Sequence, residues 1–450
     1  MHSLGLMELK FNAFRIEDEI RMYETLKLDN GIKVIAHPIS GHRSISIGIW
    51  IKTGSILETP ENNGVSHFIE HMLFKGTNTR TAKDIAMQVD GLGGELNAFT
   101  SKECTCFYAR VLDDHTAIAV DILNDMLQNS KFDNEDMRKE KMIILDEIFM
   151  YEDSPEDLVY DILSDLIFKD HPLGRPILGS ESSLKGLTKA SVIEYMQQTY
   201  TADQMVIAVA GHYEKESLFE LLNKTFGKAK VKMSSNKTIE KPQFHRGWVH
   251  RWRDIEQVHL NIGYKGIHFE HEDAYALLIL NNIIGGSTSS RLFQVVREDH
   301  GLSYSVYSHP SFYEAMGLLS VYASMNPENL DQIVEIMLDI LSDFASGSIT
   351  DDEIRQSKEQ LKGSYILGLE GTENIMNMMG KSVLFTDRVK STEEVLEKID
   401  TTSPDRIREL AIEILTSDQM ALATVGKIDD AVVEKIYKKF DALKGNVKSK

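Results

Sequence analysis

Apolar and polar positions along the chain predict strands and helices in two similar sets. Ile45, Ile47, Ile49 and Ile51 alternate with other residues, as on a half-buried strand. Met205 to Ala210 and Met420 to Val425 are short apolar runs that read as late strands, each followed by a closing helical pattern. Longer helical patterns cover residues 133–151 and 351–369. These sets correspond in detail. ADQMVIAVAGHY, from Ala202, resembles SDQMALATVGKI, from Ser417, with Asp203 and Asp418 lying 418 − 203 = 215 residues apart. SISIGIWIKTG, from Ser44, resembles HLNIGYKGI, from His259, and there Gly48 matches Gly263, again 263 − 48 = 215. A third match, FDNEDMRKE against TDDEIRQSK, needs an offset of 218, a three-residue indel. The chain reads as two copies of one domain.

The boundary is expected in the lysine-rich, polar stretch from Gly227 to Gln243, which lacks apolar periodicity. The expected organisation is an N-terminal extension at 1–21, a first domain at 22–227, a linker at 228–243 and a second domain at 244–450. Strands and helices grouped in this way predict α+β domains, each a mostly antiparallel sheet packed with helices.

Composition narrows the partners. Lys and Arg number 49 against 69 Asp and Glu, a formal charge of 49 − 69 = −20. That balance opposes nucleic acid and an anionic membrane surface, both of which are held mainly by cations. It suits basic peptides. Cys104 and Cys106 are the two cysteines; they cannot build a disulfide framework, and they read as packing residues in a reducing compartment. No apolar run approaches the roughly 18 residues of a membrane span, and the first residues have neither a basic start nor an apolar stretch. A cytoplasmic location is expected.

Candidate chemistry is concentrated in GVSHFIEHMLFKG, Gly64 to Gly76. On a helix His67 and His71, four apart, share one face, with Glu70 beside them. Two imidazoles supply nitrogen ligands that zinc prefers and leave room for a third ligand and a water. A neighbouring carboxylate can take a proton from that water. His-x-x-Glu-His is the inverted form of the zincin motif. The same residues also fit a surface helix, and a third ligand decides between the readings. In MRKEKMIILDEIFMYE, Glu140 and Glu147 lie seven apart on one helical face. That face is either a solvated acidic one or, since Ile143, Ile144 and Ile148 crowd the helix, partly buried.

His67-x-x-Glu70-His71, then 147 − 71 − 1 = 75 intervening residues, then Glu147, with Glu140 seven before it, resembles the insulinase/pitrilysin family of zinc peptidases. The nearer likeness is to its half-length branch, which includes mitochondrial processing peptidase and bacterial relatives. The resemblance implies that His67, His71 and Glu147 bind one zinc ion per chain, that Glu70 is the general base and that Glu140 supports the site. It further implies that GGELNAFTSKECTCFYARV, Gly93 to Val111, holds an edge strand on which an extended substrate adds as another strand, with Asn97 and Ala98 at the matching positions. In GGSTSSRLFQVVREDHGLSYSVYS, Gly285 to Ser308, Arg297 and Tyr304 match a pair that contacts substrate near the scissile bond.

The second copy lacks the metal residues. At offset 215 His67 meets Asn282 and His71 meets Gly286; at 218 Glu147 meets Tyr365. Met376, Met378 and Met379 read as core or interface filler, and His115 and His171 as structural or surface residues. The expected activity is that of a zinc metalloendopeptidase hydrolysing extended peptides or presequence-like segments inside an enclosed chamber formed by a homodimer. The alternative, from another class, is a catalytically silent structural or peptide-binding subunit of a heteromeric peptidase.

Overall fold

The computed structural model describes residues 23–229 and 239–442. The expected extension and the middle of the expected linker lie outside the described residues. Two compact units emerge. Among the described residues, unit 1 joins 23–145, 177–229 and 367–392; unit 2 joins 146–176, 239–366 and 393–442. Compact units and sequence copies are therefore different divisions of the chain, because each copy sends one helical segment into the other's unit.

Unit 1 holds a six-stranded sheet built from β1 (Glu24–Lys27), β2 (Lys33–Pro38), β3 (Ser44–Ile51), β4 (Glu95–Thr100), β5 (Thr105–Leu112) and β6 (Met205–Gly211), in the order β1-β2-β6-β3-β5-β4. Only β2 and β6 run parallel; the other neighbours are antiparallel. Unit 2 holds five strands, β7 (Gly247–Trp252), β8 (Val258–Gly266), β9 (Ser305–Phe312), β10 (Gly317–Met325) and β11 (Met420–Gly426), ordered β7-β11-β8-β10-β9. Its one parallel pair is β7 with β11. The orders coincide once β1 is set aside, so the repeat is visible in topology as well as in sequence.

The alternation of Ile45 to Ile51 predicts a half-buried strand, and here the structure differs: every β3 residue after Ser44 is buried. Both faces of the sheet are covered. The helix α1 (Val65–Leu73) begins the candidate site, and α2 (Thr116–Asn129) packs on β3 and β5. After them come α3 (Asn134–Glu152) and α4 (Pro155–Phe168), then much later α5 (Asp351–Gly368) and α6 (Thr372–Thr386). α6 lies across β3, β6 and β2. Its Met376 and Met379 are fully buried beside Trp50, Cys104, Cys106 and Tyr108, which accounts for the methionine cluster and both cysteines as core. Trp50 Nε1 donates to Met376 Sδ at 3.4 Å, and the hydroxyls of Ser46 and Thr372 meet at 2.9 Å. Gly48 faces this helix. A Cβ there would overlap the Met376 thioether.

In unit 2, α4 covers β7, β8 and β11 in the corresponding manner. Gly263 meets it as Gly48 meets α6: a Cβ on Gly263 would come 2.7 Å from Ile167 Cδ1. The match of Gly48 with Gly263 thus has a physical cause, the close approach of an exchanged helix to a central strand. His171 proves structural, its Nδ1 accepting from the Leu173 N–H at 3.2 Å and its Nε2 lying 2.9 Å from the Glu240 carbonyl.

Candidate metal centre

α1 is capped at its start by Gly64, whose φ of 92° lies in the left-handed region. A Cβ there would press against the Leu178 carbonyl oxygen at 2.5 Å, so glycine is required twice over. The open N–H groups of the first turn are met by Glu58. Its buried carboxylate accepts from Gly64 N at 2.7 Å, Ser66 N at 2.8 Å and Asn63 Nδ2 at 2.8 Å. Burial pushes the Glu58 pKa up, and these hydrogen bonds act against that push. Ser66 Oγ lies 3.0 Å from Tyr195 Oη, a second anchor for the same turn.

One turn on, His67 and His71 stand with ring centroids 4.6 Å apart. Glu147, on α3, completes a cluster whose three donor atoms all lie within 4.8 Å of one another. It is the one such group of histidine, cysteine and carboxylate donors among the described residues. The donor chemistry fits a metal cation. Burial, and then the neighbouring His71, push the His67 pKa down to about 3, so its imidazole is neutral and keeps a lone pair for a metal. Glu140, seven residues before Glu147 on α3, is 3% exposed. One of its oxygens lies 3.1 Å from His71 Nδ1 and the other 2.8 Å from Lys75 Nζ. That contact engages Nδ1 of His71 and fixes its ring. The expected partial burial of α3 is met by Ile144 and Ile148, whereas Ile143 is 48% exposed. It joins Met142, Phe149 and Met150 in an exposed apolar stripe, because a helix buries only the face turned to the core.

Glu70 is half-buried, and Thr100 Oγ1 donates to its Oε2 at 2.5 Å. Thr100 ends β4, and β4 is the outermost strand of its sheet. Asn97 and Ala98 lie on that strand opposite Tyr108 and Phe107, and Asn97 Oδ1 accepts from the Ala98 N–H at 2.8 Å. Arg297 and Tyr304 come together in unit 2: Arg297 Nη1 donates to the Tyr304 carbonyl at 3.1 Å and its guanidinium stacks 4.6 Å from the Tyr304 ring. Tyr304 is 78% exposed.

Three participants escape a reading of the sequence: Glu58, Lys75 and Thr100. Lys75 carried a faint signal, being one further turn along the His67–His71 face. Glu58 and Thr100 act across loops and strands and leave no spacing to detect.

The fold and the cluster together define a duplicated α+β scaffold with one candidate metal site on an inverted His-x-x-Glu-His helix. A family model described as insulinase (peptidase family M16) matches residues 33–181, and one described as peptidase M16 inactive domain matches 186–361. The chain belongs to the insulinase family of peptidases. It is 44% identical over 404 residues to the uncharacterized zinc protease YmxG of Bacillus subtilis, covering 90% of this chain and 98% of that relative. Another relative, the uncharacterized zinc protease SCO5738 of Streptomyces coelicolor, is 37% identical over 417 residues, 91% of each chain. Among solved structures, a protease from Helicobacter pylori superposes with a TM-score of 0.83 at 20% identity, covering 90% of this chain and 99% of that one. A peptidase M16 inactive domain from Pseudomonas fluorescens gives 0.84 at 20% identity, covering 90% and 98%. Those two likenesses bear on the fold alone. No helix among the described residues is long and apolar enough to cross a membrane.

Proposed function

We propose that the chain is a zinc-dependent metalloendopeptidase acting on extended peptides. The observation that carries this reading is the convergence of His67, His71 and Glu147 within 4.8 Å, with Glu70 on the same helix as both histidines. His67, His71 and Glu147 would hold the zinc, and the naming of relatives as zinc proteases supports that choice of metal. A bound zinc supplies a nucleophilic water at neutral pH and polarises the scissile carbonyl. The other roles belong to the chain itself. Glu70 takes the proton of the attacking water and delivers it to the leaving amine. Glu140, braced by Lys75, keeps the His71 ring oriented.

The substrate backbone pairs with the open edge of β4, displacing the Asn97 side chain from the Ala98 N–H. Arg297 and Tyr304 hold the peptide carbonyl and its developing charge. In a homodimer this pair would serve the zinc site of the other chain, enclosing the substrate between copies. Tyr304 is exposed enough to be given away in this manner, and the apolar stripe on α3 offers a surface for apolar substrate or partner side chains. The acidic balance of the chain favours basic peptides. Metal analysis together with cleavage of a quenched peptide tests the reading. One zinc per chain and hydrolysis abolished by chelator are expected; a zinc-loaded protein that cleaves no peptide would instead favour the silent-subunit alternative.

A further inference from the structure

We infer that Thr100 is a positioning residue: its hydroxyl fixes the Glu70 carboxylate and ties it to the strand on which substrate docks. The inference rests on the roles of Glu70 and β4 proposed above. Glu70 reaches from α1 on a side chain with several rotatable bonds, so its place on the helix does not by itself aim its oxygens. Thr100 supplies the aim. The 2.5 Å contact is a short O–H···O⁻ hydrogen bond, the strong charge-assisted kind. It engages Oε2 directly.

The donor is itself held in place. Immediately after Thr100 the chain turns tightly, with Ser101 N donating to the Cys104 carbonyl at 2.8 Å and Cys104 N to Ser101 Oγ at 3.1 Å. Ile56 N donates to the Lys102 carbonyl at 2.8 Å, which clamps the turn to the loop after β3. Thr105, opposite Thr100 across the hairpin, is fully buried and donates to the Thr53 carbonyl at 2.7 Å. Gly54 completes the clamp, since a Cβ there would collide with the Lys102 backbone at 2.6 Å. The hydroxyl is therefore presented from a pinned hairpin end. A peptide added to β4 is placed by the same strand, so one element registers both the scissile bond and the base that serves it.

The test compares Thr100→Val, which keeps shape and loses the donor, with Thr100→Ser, which keeps the donor. Thr100→Val should lower kcat by about 10–100-fold, the scale of a misplaced catalytic group, with KM changed less than about threefold and zinc content unchanged. Thr100→Ser should recover most of the loss. In a Glu70→Gln background Thr100→Val should add no further loss, because the carboxylate it holds is gone. A crystal structure of Thr100→Val should show the Glu70 side chain swung away from β4 with His67 and His71 unmoved. Wild-type kcat in Thr100→Val, a loss confined to KM, a serine variant as impaired as valine, or an unmoved Glu70 carboxylate would each overturn the inference. If the wild-type, zinc-loaded chain cleaves nothing, the proposed function falls, while the crystallographic comparison still decides whether Thr100 holds Glu70.

Discussion

The two sheets are the same scaffold put to different uses. Each has one parallel pair at the same place in the strand order, and each has a central glycine under an exchanged helix. Where the first copy has His67 and His71 on a regular helix, the second has Asn282 and Gly286 at the two ends of a π-helical segment. Asn282 there donates from Nδ2 to Ser357 Oγ at 3.0 Å, a buried hydrogen bond where the first copy has a candidate metal donor. The description of residues 186–361 as an inactive domain agrees with that contrast. Stability depends on the repeated strands and their covering helices. The candidate chemistry rests on a handful of side chains that the second copy lacks at the matching positions.

The largest expected effect tests whether the chemistry belongs to the first copy. Glu70→Gln should keep its zinc and lose about 10²–10⁴-fold in kcat, since the amide cannot accept the proton and removes no ligand. Asn282→Ala, at the second-copy counterpart of His67, should leave zinc content unchanged. Loss of zinc in Asn282→Ala with its melting curve intact would break the contrast.

A smaller effect asks whether the second copy contributes in trans. Glu70→Gln and Arg297→Ala chains should each be nearly inactive alone. Mixed under exchange, about half the dimers are heterodimers, each with one of two sites complete, so activity should approach roughly a quarter of wild type. No recovery, with exchange demonstrated by mass, would show that the pair does not act across a dimer.

Next in size is the shared scaffold. Gly48→Ala and Gly263→Ala should each destabilise by about 1–3 kcal/mol, the usual range for overpacking. Gly380→Ala, whose Cβ would enter the rigid Trp50 indole, belongs at or above the top of that range, because a thioether can bend aside and an indole cannot. Urea denaturation measures all three, and a neutral Gly263→Ala would deny the equivalence of the two helix contacts.

The repeat, the late strands and the paired histidines and glutamates are legible in the sequence, because each depends on spacing: 215 between copies, four between histidines, seven between glutamates. The family resemblance singles out Glu147, and the structure brings it together with His67 and His71. The sequence did not reveal what covers β3. Alternating isoleucines look the same whether the opposite face meets water or a helix, and here that helix lies more than 300 residues later, as the Ser46–Thr372 contact shows. Glu58 and Thr100 were illegible for a related reason. A cap supplied from a preceding loop and a hydroxyl supplied from a neighbouring strand depend on the fold already being formed. Three isoleucines on one helix imply that part of it is buried, and Ile144 and Ile148 are; a list of apolar residues does not say which helical face turns inward, so the exposure of Ile143 is not legible in it.

The smallest effect distinguishes the helices that begin at the third sequence match. In the second copy Glu353 closes the start of α5, accepting from Thr350 N at 2.9 Å and Thr350 Oγ1 at 2.7 Å, while Arg291 grips both its oxygens at 2.6 and 2.8 Å. Its counterpart by the 218 offset, Glu135, pairs with Arg138 at 2.7 Å, both side chains more than half exposed. Burial alone would raise the Glu353 pKa, but the hydrogen bonds from Arg291 and Thr350 prevail and hold it down to about 2. A carboxylate depressed below its unfolded value of about 4.3 stabilises the fold fully above that value and loses the contribution as pH falls toward 2. Because the group is partly open to solvent, screening reduces the effect, and Glu353→Gln should cost roughly 1 kcal/mol at neutral pH. The difference between variant and wild type should then shrink as pH is lowered from about 5 to 3. Glu135→Gln should be indistinguishable from wild type throughout. Urea titrations at several pH values measure both, and a Glu353→Gln deficit that stays constant down to pH of about 3 would assign its role to shape rather than charge.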